Sequence, residues 1–520
     1  MVKKGIVTGA LILTLAGVIT RILGFVYRIY MSNIMGAEGM GLYQLILPIY
    51  ALAWSISCSG FTTTISKLTA QEKAKGETGN VRRFLKLAVL ITTGTGILIA
   101  ALLFVYADMI AIVFFREERI GLSLRIIALC VPFMAAGSCV RGYFFGLQET
   151  IVPAINQVLE QVVRMAVIFF IAGFFIPLGL EYAVAAAAIG IMAEEIFSFV
   201  FVFAAFRFKK VRELKSKLPV LTNPQALAVI VTMALPLTAN RVAGSLLSAF
   251  ENALIPQRLQ VYGLSAQEAM SVYGQMTGMA MPLIYFPSAF LLSLSISLVP
   301  AVSEASAVGN TKRIHYTASK SMLFAAVIGF MAAAVFIVFA HELGLLIYNQ
   351  DIAHMLVLFG VMCPFLYMQV VLSGILNGLG YQVFIFRNSL ISSAISIGFI
   401  YFLTPLRGVE AFIFGWFTSL TVVIFLEIKK LRESVDLQFE FANWFVKPLL
   451  AALGSGLSIK FVAGRVLFDA YGPLWGLVSA VCALGVLYMV FIVLTGCLSI
   501  ADVCQIFKSV RSEKRVEKVH

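Results

Sequence analysis

The chain has 520 residues, of which 60% are hydrophobic and only 12% charged, and its mean hydropathy is +0.95. A water-soluble protein has no way to hide that much apolar surface, whereas a polytopic helical membrane protein leaves it against lipid. The net charge of +13 is scattered over short segments beside hydrophobic runs, which is the pattern of membrane topology and excludes a nucleic-acid-binding face.

Runs long enough to cross ~30 Å of hydrocarbon fall at 5–34, 39–68, 82–107, 121–148, 151–176, 181–206, 225–256, 267–302, 316–340, 353–379, 383–405, 408–428, 444–467 and 472–500. They predict an all-α polytopic membrane protein of 14 transmembrane helices. The first run begins like a signal peptide, with Lys3 and Lys4, but continues through Arg21 to Tyr30. That is far beyond an h-region of ~7–15 residues, so it reads as an uncleaved first span. If the amino terminus lies in the cytoplasm, inside segments carry 27 Lys and Arg, outside loops six, and the spans the other six. This bias predicts that both termini are cytoplasmic, in the cytoplasmic membrane.

An internal repeat runs through the chain. At an offset of 232, Glu72 matches Glu304, Pro132-Phe133 matches Pro364-Phe365, Gly142 matches Gly374, Gly146-Leu147 matches Gly378-Leu379 and Asn156 matches Asn388. At an offset of 220, Arg21 and Gly24 match Arg241 and Gly244. The expected organisation is an N-lobe over 1–206, a cytoplasmic linker over 207–224, a C-lobe over 225–432, an added pair of spans over 444–500 and a basic cytoplasmic tail over 501–520. Six spans per lobe means that both copies enter the membrane the same way, related by a pseudo-two-fold axis along the membrane normal.

The seven cysteines show no CxxC or paired spacing, and the four histidines form no HExxH. The chain therefore offers no disulfide framework and no metal site, and no cofactor is expected.

Charged residues inside spans are costly, roughly 2.5–3.5 kcal/mol each on insertion scales, and they mark interior cavities. In the first span, Thr14, Gly17, Arg21, Gly24, Arg28 and Ser32 share one face, as do Arg241, Gly244, Ser245, Ser248 and Asn252 in the seventh. The fourth span carries Arg141. The fifth carries Glu160 and Arg164, spaced for an i,i+4 ion pair. Helix packing is the expected role of the glycines and serines. Arg21 and Arg241 have no acidic residue at i±3 or i±4, so they are the leading candidates for a cationic cavity. Glu194 and Glu195 in the sixth span and Glu251 in the seventh are candidates, with Glu160, for holding a coupling cation or for neutralising the arginines. A cationic cavity suits a phosphate-bearing cargo, because Arg engages phosphate oxygens in bidentate fashion.

The segment Thr20-Arg21-Ile22-Leu23-Gly24-Phe25, with Met35-Gly36-Ala37-Glu38-Gly39 and Gly41-Leu42-Tyr43, resembles the start of exporters in the multidrug/oligosaccharidyl-lipid/polysaccharide superfamily. Phe286-Pro287-Ser288, Leu298-Val299-Pro300 and Val308-Gly309-Asn310 resemble its bacterial lipid II flippases. Arg141-Gly142-Tyr143-Phe144 and the stretch from Asn156 to Arg164 resemble a sporulation branch of the same superfamily. The resemblance implies two six-helix lobes working by alternating access, a last pair of spans that holds a lipid tail, and a polyprenyl-pyrophosphate-linked saccharide as cargo. For the sporulation branch, that cargo is a peptidoglycan precursor of the spore cortex. It also implies membrane lipids and cell-wall synthesis enzymes as partners, and coupling to Na+, H+ or the membrane potential. The central arginine of the first span carries over to Arg21, whereas Leu52 and Pro282 stand where lipid II flippases have arginines. The competing readings are a multidrug/cation antiporter, which favours an acidic cavity, and a membrane scaffold for cell-wall enzymes, which needs no buried arginine. The short outer loops, with Asp351 and Glu410 isolated, argue against an enzyme.

Overall fold

The computed structural model describes residues 2–75, 78–213, 221–435 and 440–497. The basic tail and much of the 207–224 linker lie outside the described residues. The principal helices are α1 (Val2–Trp54), α2 (Gly60–Lys75), α3 (Thr78–Val105), α4 (Gly121–Gly146), α5 (Ile151–Phe175), α6 (Leu180–Glu213), α7 (Asn223–Tyr262), α8 (Ala266–Gly274), α9 (Met281–Ala307), α10 (Thr311–Val338), α11 (Ala353–Gly378), α12 (Gln382–Phe402), α13 (Val409–Val435) and α14 (Lys447–Leu494). No strand occurs among the described residues.

Twelve helical stretches among the described residues are long and apolar enough to cross a membrane, against the 14 expected. The difference lies at the two ends of the chain. Ile12–Lys75 is one stretch of 64 residues, about 96 Å at 1.5 Å per residue, which is three hydrocarbon thicknesses. It holds two predicted runs and breaks at Gly36, whose φ of 69° and ψ of −174° lie where glycine is favoured. At the other end, 444–467 is absorbed into α14, which breaks in the same way at Gly472 (φ 73°, ψ 173°).

Contacts divide the chain differently from its repeat. One compact unit comprises Met1–Met279 with Ser396–Phe412, the other Ala280–Ile395 with Ile413–His520. The boundary therefore falls at Ala280 rather than in the linker, and α7 and α8 pack with the first unit. The reason is close backbone approach. A Cβ on Gly60 of α2 would lie 2.4 Å from the Ala234 carbonyl of α7, and one on Gly274 of α8 would lie 1.9 Å from the Ala37 carbonyl of α1. A buried cluster including Phe84, Tyr143, Phe144, Val202 and Ile230 joins α3, α4, α6 and α7.

Taken separately, the two units use the same helix contacts at nearly the predicted offset. In the first, Gly96 of α3 faces Pro132 of α4, with 3.2 Å from a built Cβ to the Pro132 Cα. In the second, Gly329 of α10 faces Pro364 of α11 at 2.5 Å. Gly142 and Gly146 of α4 sit on the carbonyls of Thr62 and Ser66 in α2, and Gly374 and Gly378 of α11 sit on those of Ser295 and Val299 in α9. The added helix α14 packs on α10, where the Tyr488 hydroxyl donates to the Val327 carbonyl at 2.9 Å.

Candidate functional site

All nine charged residues singled out in the sequence lie in the first unit, on α1, α4, α5, α6 and α7. Helix α5 sets Asn156, Gln157, Glu160, Gln161 and Arg164 on one face by their spacing of three or four, and that face meets α1, α4 and α6. Arg141 Nη1 donates to Glu160 Oε1 at 2.9 Å and to Ser198 Oγ at 2.7 Å. Asn156 Nδ2 donates to the same two oxygens, at 2.7 and 3.0 Å. Arg164 Nε lies 2.8 Å from Glu194 Oε2, its Nη2 donates to Gln161 Oε1 at 3.1 Å, and its guanidinium sits 5.6 Å from the Tyr27 ring centroid. The Tyr50 hydroxyl donates to Glu195 Oε1.

The i,i+4 pair expected between Glu160 and Arg164 is therefore not formed. Each residue instead reaches a neighbouring helix, Glu160 to α4 and Arg164 to α6, because inter-helix charges can meet end to end while same-helix neighbours lie side by side. Two arginines and three glutamates make a largely self-neutralised cluster, with Glu194 and Glu195 only 6% and 8% exposed. Breaking one such pair leaves an uncompensated charge, so the network holds three helices together.

Arg21, Arg28 and Arg241 are placed differently. Arg21 and Arg241 are exposed and Arg28 half-buried, and none forms an ion pair or hydrogen bond among the described residues. Arg241 lies 5.4 Å from the Trp54 ring centroid, a cation–π contact on α1, and one turn on, Ser245 and Ser55 share a hydrogen bond of 2.7 Å. Gly17 and Gly244, expected to pack against helices, meet nothing within 4 Å of a built Cβ. The faces carrying Arg21 and Arg241 are thus open. Gly24 does approach α5, at 4.0 Å from the Gln161 amide, and Gln157 Nε2 donates to Thr20 Oγ1 at 3.3 Å. Glu251 is half-buried on α7, and no group of three or more His, Cys, Asp or Glu able to hold a metal ion occurs among the described residues.

The sequence missed Tyr50, Trp54 and Ser198. Each joins the site only through a helix crossing, and no spacing within one helix signals that. It also missed Glu427, although an offset of 232 from Glu195 pointed to it. In the second unit, an apolar cavity of about 510 Å³ lies between α10, α11 and α14, lined by Phe330, Phe365, Phe445, Leu453, Leu457 and Lys460.

Residues 6–306 match the family described as polysaccharide biosynthesis protein. The chain belongs to that family. Residues 261–402 also match the MatE family. Among curated relatives, this polysaccharide biosynthesis family member is 30% identical to Stage V sporulation protein B of Bacillus subtilis (strain 168), over 85% of this chain and 87% of that protein. It is 27% identical to Lipid II flippase MurJ of the same organism, over 60% of each. Among solved structures, the lipid II flippase MurJ in an inward closed conformation shares the fold, with a TM-score of 0.65 at 13% identity, covering 93% of this chain and 98% of that one. The membership and the fold agree with the superfamily resemblance read from Arg21, Gly24 and the motifs that follow.

Proposed function

We propose that this chain moves a polyprenyl-pyrophosphate-linked saccharide across the cytoplasmic membrane by alternating access, with both termini in the cytoplasm. The observation that carries this reading is the contrast among the intramembrane arginines. Arg141 and Arg164 are matched by glutamates, whereas Arg21, Arg28 and Arg241 have no anionic partner among the described residues, and Arg21 and Arg241 stand on open faces. Unmatched cations inside a membrane protein call for an anionic ligand, and a pyrophosphate offers oxygens that guanidinium forks engage in pairs. The long prenyl chain finds an apolar receptor in the cavity beside α14. The kinship to a lipid II flippase and to a sporulation protein favours a peptidoglycan precursor for the spore cortex as the cargo. Glu194 and Glu195 are the candidates in this half for a coupling cation.

The test is purified protein in liposomes carrying a fluorescent lipid-linked saccharide, with leaflet exposure read by an impermeant quencher. Wild type should exchange the lipid between leaflets and Arg21→Glu should not. Equal exchange by both, in well-folded protein, overturns the reading. A second reading, a multidrug/cation antiporter, draws on the MatE match and the buried glutamates. It requires instead that the same liposomes accumulate a cationic dye against a Na+ or H+ gradient.

A further inference from the structure

Arg241 is held by an aromatic ring rather than by a carboxylate. Its guanidinium lies over Trp54, 5.4 Å from the ring centroid, and it has no ion pair among the described residues. The kind of partner matters chemically. A carboxylate neutralises a guanidinium and occupies its N–H edge, as Glu194 does at Arg164. A ring against the guanidinium face attracts the charge without a hydrogen bond, so the five N–H donors and the full positive charge stay available.

Trp54 is itself fixed by the local backbone. It is the last residue of α1 before a π-helical turn at Ser55–Ser59. Such a turn leaves carbonyls short of their usual partners. Here Cys58 Sγ donates to the Trp54 carbonyl at 3.3 Å, and Ser59 Oγ donates to the Ser55 carbonyl at 2.8 Å. Ser55 Oγ shares its 2.7 Å hydrogen bond with Ser245 Oγ, one turn beyond Arg241 on α7. That bond pins the helix crossing that sets the ring against the guanidinium. The internal repeat supplies a contrast. At the offset of 220, Arg241 corresponds to Arg21, but Trp54 corresponds to Gly274, which has no side chain and lies against the Ala37 carbonyl. The ring belongs to one half only.

We propose that Trp54 is a positioning residue for anion capture. It holds the Arg241 guanidinium by its face and leaves the N–H edge free on the open side of α7 for a pyrophosphate. The nature of the anion rests on the proposed function, whereas the hold of Trp54 on Arg241 is read without any ligand.

Full-length protein labelled with 5-fluorotryptophan is followed by fluorine NMR in detergent. The chain has four tryptophans, and the resonance absent from Trp54→Phe is that of Trp54. In ligand-free protein, Arg241→Ala should move this resonance and leave the other three in place. Inorganic pyrophosphate at constant ionic strength should move it in wild type and not in Arg241→Ala. By calorimetry, Trp54→Leu should weaken pyrophosphate binding roughly tenfold, and Trp54→Phe should retain most of it. Trp54→Leu combined with Arg241→Ala should bind no more weakly than Arg241→Ala alone. Should Trp54→Leu fail to fold, Trp54→Phe and the Arg241→Ala resonance carry the test. A Trp54 resonance indifferent to Arg241→Ala, or a Trp54→Leu loss that adds in full to that of Arg241→Ala, overturns the inference. Absence of pyrophosphate binding in wild type sinks the pyrophosphate reading instead, and the ligand-free resonance then decides alone whether Trp54 holds Arg241.

Discussion

The two halves of this protein keep the same scaffold and diverge in charge. Gly96 meets Pro132 as Gly329 meets Pro364, and Gly142 and Gly146 ride on α2 as Gly374 and Gly378 ride on α9. Yet the positions of Arg141, Glu160, Arg164 and Glu194 are taken by Ser373, Ser392, Ser396 and Leu426, and only the glutamate shared by 195 and 427 persists. Close helix approach restricts a residue to glycine or to a fixed partner, so these contacts resist change in both copies. A charged side chain in a helix bundle needs only a matching partner, so a whole network can be lost or gained as a set.

The largest effect expected from breaking this contrast is on transport. Arg21 and Arg241, repeat-related and unmatched by carboxylates, should each abolish liposome exchange when changed to Glu and lose most of it when changed to Ala. Arg→Lys should restore part of it, since the charge survives but the bidentate fork does not. Size-exclusion profiles should stay monodisperse throughout. If activity instead falls only where folded protein falls, these arginines are packing elements.

Next in size is the cost of unbalancing the first-unit network. Arg141→Ser, which installs the residue of the second half, should destabilise by about 3 kcal/mol, because it strands Glu160. Adding Glu160→Ser should recover most of that loss. Thermal or denaturant unfolding of the two singles and the double closes the cycle, and additive losses would show that the pair is not coupled.

Smaller is the effect of a methyl group at the shared helix contact. Gly329→Ala should cost about 1–3 kcal/mol by overpacking against Pro364, and Gly96→Ala less, because its built Cβ clears Pro132 by 3.2 Å rather than 2.5 Å. Comparing the two melting temperatures reads the order directly, and a larger loss at Gly96 would reverse it.

The smallest effect is a pH dependence outside the membrane. Glu440 accepts from Asn443 at 2.7 Å and from Ser319 at 2.8 Å, and these bonds, the one from Asn443 foremost, hold its carboxyl below the usual range. A lowered carboxylate contributes stability that is present above its ordinary pKa and is lost as pH falls through the lowered one. Glu440→Gln should therefore lower Tm slightly at neutral pH and leave it unchanged in acid. An equal loss at both would assign Glu440 a packing role alone.

Much of this was legible in the chain itself. The apolar runs, each longer than a bilayer is thick, determined an all-helical membrane protein, because the backbone has no other way to satisfy its hydrogen bonds in lipid. The offset of 232 determined the repeat, because related helices need the same glycines wherever backbones touch. That no acidic residue stands at i±3 or i±4 of Arg21 or Arg241 was also plain, since it depends on spacing within one helix. Tertiary structure alone decided the rest. It turned Glu160 to Arg141 and Arg164 to Glu194, against the i,i+4 expectation, because long side chains choose partners across helix crossings that spacing does not encode. It left Gly17 and Gly244 facing open space rather than a neighbour, and it placed α7 and α8 with the first unit through the Gly60 and Gly274 contacts. Helix periodicity fixes which residues share a face, and only the packing of helices fixes what that face meets.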